Sequence, residues 1–468
     1  MGDQSVNLPS AQRLCALAAV ASAIVANAAP ASAVTPPQVD PSAVPPPGSA
    51  GPLQPMIQRG PCVTSGVLPG SELAAADPAR ALDLPEAWKY GMGEGRTVAV
   101  IDTGVRPGDR LPDVVAGGDF VQSTDGLTDC DGHGTLVAGL IAGRPGDDGF
   151  SGVAPEARIL AIRQNSARFA PRNPGEDPEP TRAALDVETL ARAIVRAADL
   201  GADVINVSVV ICVPADRPVD QAQLGAAVKY AVEQRDAVIV AAAGNNSADA
   251  VTGSACASNA LTDPGTPGDP RNWAGVTSVS TPSWWQPYVL SVGSVGSEGQ
   301  PSPFTMAGPW VGIAAPGEQI VSVSNAPAGG LVNALPDGGR NWQPLSGTSY
   351  AAAYVSGVAA LVRARFPQLT AGEVVHRLTA TARGAARSPS NLVGAGTVDP
   401  VAALTWVLPA DDPADNSATD RARPVDPPAS AKSRDPTARA VAFGGTGALA
   451  ALALAAVVYS AMRRGRTS

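Results

Sequence analysis

Three side chains that could share a proton transfer lie far apart in the sequence, each at the expected end or start of a regular element. Asp102 ends the apolar run Val98–Ile101, His133 lies between two glycines, and Ser349 precedes the helical stretch Tyr350–Arg363. A serine hydroxyl is a weak nucleophile until a base such as histidine takes its proton. A buried carboxylate holds that histidine in the required tautomer. The three residues therefore predict an activated serine, with His133 as the base and Asp102 as the residue that orients it.

Each residue also has an ordinary structural explanation. Asp102 could cap a turn, His133 could be structural, and Ser349 could be a helix N-cap. The sequence Asp-Thr-Gly also occurs in aspartic proteases, but these need a second such aspartate, and this chain has no other Asp-Thr-Gly or Asp-Ser-Gly. The combination and its order, rather than any single residue, favours serine catalysis.

Asn245 adds an oxyanion donor to this site. It follows the apolar run Val238–Val240 in the sequence Ala-Ala-Ala-Gly-Asn-Asn. Its side-chain amide can donate to the anion of a tetrahedral intermediate, and one such donor stabilises the transition state by roughly 3–4 kcal/mol. The start of a helix gives Ser349 a favourable partial charge for the same anion. We expect the glycines beside His133 and before Ser349 to let a substrate backbone approach closely.

Composition excludes several other functions. The chain has 468 residues, of which 45% are hydrophobic and 16% charged, so it can bury a sizeable core. Its net charge of -9 and the lack of a long basic run argue against nucleic acid as a partner. His133 and His376 are the two histidines of the chain, which nearly excludes a multi-histidine metal site. Without an acidic cluster that suggests calcium, we expect no metal and no cofactor.

The elements that must position these residues alternate along residues 83–408. Near-continuous apolar strands followed by helices predict an α/β fold with a parallel sheet that is covered by helices on both faces. The expected strands are Val98–Ile101, Ile159–Ile162, Val204–Val207, Val238–Val240 and Val289–Val292. The expected helices are Val137–Gly143, Ala184–Leu200, Leu224–Gln234, Tyr350–Arg363 and Ala371–Arg377.

Three stretches read as irregular. Residues 34–60 are Pro-rich and predict extended, polyproline-like chain within an N-terminal extension, 34–82. The prolines of Asn165–Thr181 predict a surface insertion loop. Residues 409–439 are rich in Asp, Pro, Arg and Ser and predict a low-complexity linker.

Both ends of the chain carry membrane-related signals. Residues 1–33 predict a signal peptide, with the apolar run Leu14–Ala26 and the cleavage sequence Ala-Ser-Ala at 31–33; an uncleaved anchor is the alternative. The 23 uncharged residues Ala440–Met462 predict a transmembrane helix, with a buried or surface helix as the alternative. The arginines of the tail 463–468 favour a cytoplasmic C-terminus. We therefore expect a single-pass cell-membrane protein with its catalytic domain outside the cytoplasm.

Cysteine usage agrees with that location. Removal of the signal peptide takes Cys15 away and leaves four cysteines: Cys62, Cys130, Cys212 and Cys256. An even number outside the cytoplasm predicts two disulfides, and spacing alone allows three pairings.

The sequences around Asp102, His133, Asn245 and Ser349 together resemble the motifs of the subtilisin-like (S8) serine peptidases, and the resemblance covers essentially all of 83–408. The order Asp102, His133, Ser349 is that of the subtilisin arrangement. The sequence Asp-Cys-Asp-Gly-His-Gly-Thr at 129–135, the Pro-rich extension with Cys62 and the C-terminal anchor resemble more narrowly the mycosins, the membrane-anchored peptidases of type VII secretion systems. By this resemblance Asn245 and the Ser349 amide form the oxyanion hole.

By this resemblance Val204–Val207 is the substrate-binding strand, and the residues that follow it differ from those usual in the family. Broad-specificity subtilisins continue this strand as Ser-x-Gly, whereas this chain has Ser208, Val209 and Val210. A β-branched residue in place of that glycine predicts a narrow cleft. The Met-Ala-x-Pro-His that usually follows the serine is replaced by Tyr-Ala-Ala-Ala-Tyr at 350–354.

Two functions follow from the resemblance. The first is a membrane-anchored serine endopeptidase of narrow specificity that processes a secreted protein in type VII secretion. The alternative is a mainly structural subtilase-fold subunit of the secretion membrane complex, with proteolysis secondary. The expected partners are a protein or peptide substrate, the membrane through the C-terminal helix, and that complex.

Neighbouring strand ends then favour one disulfide pairing. Cys212 follows the substrate-binding strand and Cys256 follows the strand before Asn245, so Cys212–Cys256 is expected, which leaves Cys62–Cys130. The second bond would hold the extension beside His133. Because the extension lacks the apolar pattern of a small folded domain, we expect it to be a permanent wrap that leaves Ser349 accessible.

Overall fold

A nine-stranded, mostly parallel sheet forms the centre of the protein, as the alternation of apolar runs and helical stretches predicts. This computed structural model describes residues 33–71, 73, 82–174, 178–246, 256–263, 265–266, 268–337, 341–384 and 389–408. The predicted signal segment up to residue 32 and the predicted linker, transmembrane helix and tail after residue 408 lie outside the described residues. Among the described residues, no helix is long and apolar enough to cross a membrane.

The strands of the described residues follow one another along the chain with helices between them. They are β1 (Met56–Gln58), β2 (Thr97–Asp102), β3 (Val114–Asp119), β4 (Arg158–Arg163), β5 (Phe169–Pro171), β6 (Val204–Val207), β7 (Ile211–Pro214), β8 (Val238–Ala242), β9 (Ser278–Thr281), β10 (Val289–Val295), β11 (Val311–Pro316), β12 (Ser322–Val323), β13 (Leu331–Val332), β14 (Ala334–Pro336), β15 (Trp342–Pro344), β16 (Arg383–Gly384) and β17 (Gly396–Thr397).

The helices cover both faces of the sheet. They are α1 (Leu84–Ala87), α2 (His133–Ala142), α3 (Pro178–Asp199), α4 (Ala222–Glu233), α5 (Thr348–Arg365), α6 (Ala371–Ala380) and α7 (Pro400–Thr405), with 3₁₀ turns at Trp88–Tyr90 and Trp273–Gly275. The order of the main sheet is β16-β17-β11-β10-β8-β6-β2-β4-β3. Its pairs are parallel except for β16, which lies antiparallel to β17 at one edge.

Strand β2 shows why both faces are buried. Its residues alternate between two apolar clusters, with Val98 and Val100 in one and Ala99 and Ile101 in the other. The first cluster contains most of α2 and α5, and the second contains the inward faces of α3 and α4. Side chains of successive strand residues point to opposite faces, so a strand that is apolar throughout must be covered on both.

The three strands that precede the site lie side by side. Strand β6 pairs in parallel with β2 on one side and with β8 on the other. Their carboxyl ends therefore meet at one edge of the sheet, where α2 and α5 also begin. In open parallel sheets, this edge is where ligands bind.

The described part of the N-terminal extension, residues 34–71, contains the short strand β1 and no α-helix, and it lies against the body. Strand β1 pairs antiparallel with β5, so that Met56 is opposite Pro171 and Gln58 is opposite Phe169. The backbone N–H of Val63 donates to the carbonyl oxygen of Cys130 at 2.9 Å.

The prediction of an insertion loop over Asn165–Thr181 was wrong in two places. Residues Phe169–Pro171 form β5, because the extension supplies a partner strand for them. Helix α3 begins already at Pro178. Prolines are tolerated in the first turn of a helix because their missing N–H has no partner there.

Candidate active site

The structure brings Asp102, His133 and Ser349 together at the carboxyl edge of the sheet. His133 Nδ1 lies 2.8 Å from Asp102 Oδ1 and 3.0 Å from Oδ2. His133 Nε2 lies 2.8 Å from Ser349 Oγ. All three are buried, with exposed fractions of 1%, 2% and 5%. This geometry allows His133 to take the serine proton while Asp102 holds the opposite ring nitrogen.

Each of the three side chains is placed by the end of one element. Asp102 is the last residue of β2, His133 is the first residue of α2, and Ser349 is the second residue of α5. The backbone N–H of Thr103 donates to Asp102 Oδ1 at 2.7 Å, which fixes the carboxylate further.

Close packing, rather than substrate access, accounts for the glycine after His133. A β-carbon at position 134 would lie 2.0 Å from the carbonyl oxygen of Gly104. Gly134 therefore lets α2 approach the loop after β2, which carries Asp102. Gly347 fits the expectation better, since a β-carbon there would lie 3.4 Å from Ser349 Oγ and 3.5 Å from Asn245 Nδ2.

Asn245 lies on the other side of Ser349 and is held through its oxygen. Asn245 Oδ1 accepts hydrogen bonds from the backbone N–H of Thr348 at 3.0 Å and from its hydroxyl at 3.1 Å. Within the described part of the chain, its Nδ2 makes no hydrogen bond that would compete with an incoming oxyanion. The half-buried side chain is thus oriented with its amide free to donate beside the serine.

Comparisons with known proteins give the same answer as the geometry. Residues 93–396 match the subtilase family, Peptidase_S8. Mycosin-3 of Mycobacterium tuberculosis (strain ATCC 25618 / H37Rv) is 62% identical over 421 residues, which cover 89% of this chain and 90% of that protein. The chain belongs to the mycosins, within the subtilase family. As a subtilase, it is a serine endopeptidase.

Solved structures of relatives share the fold over most of the chain. The MycP3 protease from the type VII (ESX-3) secretion system is 71% identical with a TM-score of 0.77, over 80% of this chain and all (100%) of that one. A chain of the intact ESX-5 inner membrane complex is 46% identical with a TM-score of 0.76, over 91% of this chain and 99% of that one.

The charges around His133 favour its role as a base. Burial lowers the pKa of His133, but the charge and the hydrogen bond of Asp102, with additional effects of Asp129 and Asp131, outweigh burial and raise it. A raised pKa means that the imidazolium formed during proton transfer is stabilised. It also means that activity is lost as the pH falls through this pKa, because protonated His133 cannot accept the serine proton.

Ser208, Val209 and Val210, which the sequence predicts to bind substrate, directly follow β6, the strand between β2 and β8. Asn206 holds this segment, because its Nδ2 donates to Ser208 Oγ at 2.8 Å. Val209 and Val210 are only 4% and 7% exposed, and they pack into the two apolar clusters on opposite faces of the sheet. Both valines are therefore part of the hydrophobic core.

Both predicted disulfides are present. Cys62 is bonded to Cys130, three residues before His133, and Cys212 is bonded to Cys256. Among the described residues, no group of histidine, cysteine and carboxylate side chains has a geometry that could hold a metal ion.

Tyr350 lies beside His133, a contact that the sequence did not predict. Its ring lies 5.2 Å from the His133 ring, centroid to centroid, and it is almost fully buried. Burial also raises the pKa of Tyr350, with added effects of the Asp102 and Asp129 charges, so the phenol is neutral. The signal available was its position directly after the serine, where the family usually has methionine. Tyr350 thus forms an apolar wall against the imidazole.

Proposed function

We propose that this protein is a membrane-anchored serine endopeptidase of narrow specificity that acts in type VII secretion. Ser349 is the nucleophile, His133 the general base, Asp102 the orienting carboxylate and Asn245 the oxyanion donor. The observation that carries the proposal is the continuous hydrogen bonding from Asp102 through His133 to Ser349. His133 Nδ1 lies 2.8 Å from Asp102 Oδ1, and His133 Nε2 lies 2.8 Å from Ser349 Oγ.

Labelling with a fluorophosphonate tests this assignment without knowledge of the substrate. The reagent forms a bond only to a serine that a base has activated. We expect the full-length chain to be labelled and mass spectrometry to place the label on the peptide that contains Ser349. A label on another serine, or none at all, would contradict the proposal.

Narrow specificity rests on Val209 and Val210. In broad-specificity relatives a glycine stands at the position of Val210, and the substrate backbone and the S1 side chain lie beside it. The Val210 side chain occupies part of that space. We expect wild type to cut casein poorly while it reacts fully with the fluorophosphonate, and Val210→Gly to accept more peptides from a library.

Val210 is also a core residue, so the melting temperature of each Val210 variant must be measured in parallel. Val210→Ala is the matched control, because it leaves a smaller cavity and keeps a β-carbon in the cleft. If Val210→Gly lowers the melting temperature but accepts no further peptides, Val210 is a core residue alone and the specificity proposal fails.

We also propose that residues 440–462, near the C-terminus, anchor the protein in the membrane. We propose residues 1–33 as the signal, 34–82 as the extension, 83–408 as the peptidase domain, 409–439 as the linker and 440–462 as the anchor, with 463–468 in the cytoplasm. The absence of charge in 440–462 and the arginines that follow support this topology. Proteolysis of intact cells should remove the peptidase domain, whereas a tag at residue 468 should be protected.

A structural function is the second candidate. It is favoured by the similarity to a chain of the intact ESX-5 inner membrane complex, which extends over 91% of this protein. The two functions separate in one comparison, in cells that carry either Ser349→Ala or a deletion of the gene. Loss of the membrane complex in the deletion strain but not in Ser349→Ala would show a scaffold role that is independent of proteolysis.

A further inference from the structure

A second buried carboxylate, Asp129, lies next to the proposed triad. It is 8% exposed, and each of its carboxylate oxygens accepts more than one hydrogen bond. Oδ1 accepts from the Thr103 hydroxyl at 2.9 Å, the Gly132 N–H at 2.7 Å and the Asp131 N–H at 3.2 Å. Oδ2 accepts from the Thr135 N–H at 2.9 Å and the Thr135 hydroxyl at 2.7 Å. All five contacting groups, from four residues, are donors, which suits a carboxylate anion and leaves no acceptor for a proton on Asp129.

Each of the two threonine hydroxyls makes a second hydrogen bond, and the donor in each case is a backbone N–H of the other threonine's segment. Thr103 follows Asp102, and its oxygen accepts from the N–H of Gly134 at 3.0 Å. Thr135 follows the start of α2, and its oxygen accepts from the N–H of Arg106 at 3.0 Å. Since each hydroxyl has one proton, donation to Asp129 points that proton away from these N–H groups and leaves a lone pair to accept from them.

The result is two reciprocal links between the segment that follows Asp102 at the end of β2 and the start of α2, which carries His133. In the first link, the N–H of Gly134 in α2 donates to Thr103, which donates to Asp129. In the second, the N–H of Arg106 after β2 donates to Thr135, which also donates to Asp129. Asp129 is common to both, and it is therefore placed to set the separation of Asp102 from His133.

We propose that Asp129 is a positioning residue that, through Thr103 and Thr135, holds the end of β2 and the start of α2 at the distance required for proton transfer between Asp102, His133 and Ser349. This inference rests on the proposed triad. Asp129 does not touch a reacting atom, and its effect is on the geometry and charge around His133.

Among the described residues, the titratable groups that interact electrostatically with Asp129 are Asp102 at the end of β2, His133 at the start of α2 and Tyr350 at the start of α5. Asp131, in the same loop, contacts Asp129 through its backbone N–H. Asp131 is balanced by Arg168, whose Nε lies 3.8 Å from its carboxylate. Burial raises the pKa of Asp129 to about 6, against the opposing hydrogen bonds of the two threonines. Its charge raises the pKa of His133.

The test measures the second-order rate of fluorophosphonate labelling of the full-length chain from pH 5 to 9. Asp129→Asn has the same shape, but its amide NH₂ must face one of the donors. Thr103→Val removes one hydroxyl without a change of shape, and Thr103→Ser restores it. We expect Asp129→Asn and Thr103→Val to lower the rate roughly 10- to 100-fold at pH 8, and Thr103→Ser to recover it to within about threefold.

The pH profile distinguishes positioning from general damage. Loss of the Asp129 charge should lower the pKa of His133, so the acid limb of the Asp129→Asn profile should move to lower pH. Asp186→Asn is the control, because Asp186 pairs with Arg182 on α3 and burial raises its pKa too. It should leave both rate and profile unchanged.

The outcomes separate this inference from the proposed function. A wild-type chain that is not labelled would overturn the proposed triad itself. A labelled wild type with equal rates for Thr103→Val and Thr103→Ser, or with an Asp129→Asn profile of unchanged rate and acid limb, would overturn the positioning role. If Asp129→Asn does not fold, the Thr103 pair alone decides.

Discussion

The two sides of Ser349 are built in different ways. On the histidine side, Asp102 and His133 are almost completely buried, and the segment before His133 is bonded to Cys62 of the extension. On the oxyanion side, Asn245 is half-buried, and its nearest partners are Thr348 on α5 and the N–H of Cys256, which donates to its carbonyl at 2.9 Å. The histidine side is thus tied to the N-terminal extension, whereas the oxyanion side is held by the start of α5 and by the segment that begins at Cys256.

The difference corresponds to the two tasks. Proton transfer needs a fixed tautomer and a low dielectric, so burial and a rigid support help it. An oxyanion donor must meet a substrate that comes from solvent, so it has to keep an open face. The contrast predicts that damage on the histidine side affects both activity and stability, whereas damage at Asn245 affects activity almost alone.

The largest effect is expected from the histidine side. Ser349→Ala and His133→Ala should each lower hydrolysis about 10⁶-fold, the magnitude known from subtilisin, and the double variant should be scarcely worse because the pair acts as a unit. Rates measured by peptide hydrolysis check this. Additive losses would mean that the two residues do not share one proton transfer.

The other histidine supplies a control for this result. His376 lies on α6, away from the site, so His376→Ala should stay within a few-fold of wild type. A large loss in this variant would show that histidine replacement disturbs the fold as a whole.

The next effect concerns stability. The Cys62–Cys130 bond closes a span of 68 residues and should contribute about 4 kcal/mol through the unfolded state. The double replacement Cys62→Ser and Cys130→Ser should lower the free energy of unfolding by that amount, as measured by denaturant titration. It should also slow fluorophosphonate labelling, because the segment before His133 loses its tie to the extension.

The second disulfide makes the comparison sharper. Cys212–Cys256 spans 44 residues, and its removal should have a similar effect on stability. Both pairs of variants should be assayed where each is fully folded. If labelling is slowed equally by both, the extension has no special connection with the histidine side.

A smaller effect is expected on the oxyanion side. Asn245→Ala removes the donor, and kcat should fall roughly 10²- to 10³-fold, with KM nearly unchanged because the oxyanion forms only in the transition state. The melting temperature should change little. A variant with raised KM and unchanged kcat would place Asn245 in substrate binding instead.

The fold was largely predictable from the sequence, and for a physical reason. Runs such as Val204–Val207 are buried on both faces, so their apolar character is continuous and their parallel pairing follows. Because Asp102 and Asn245 follow two such runs within a few residues, their position at a common edge of the sheet could be expected as well. Strand β5 could not, since it forms only where the distant extension lies beside it.

The support around the triad was not predictable in the same way. Thr103 directly follows Asp102 and Thr135 lies two residues after His133, but their shared contact with Asp129 exists only when the two segments meet in space. Hydrogen bonds of this kind leave no periodic signal. The available hint was a threonine within two residues of Asp102 and of His133.

The central claim is that the extension supports the histidine side in the mature enzyme without blocking Ser349. Fluorophosphonate labelling of the full-length chain and of a chain without residues 34–71, side by side and with a thermal melt of each, tests it directly. We predict that the full-length chain is labelled at least as fast, and that the truncated chain melts at a lower temperature. If only the truncated chain reacts, the extension is an inhibitor and the claim is wrong.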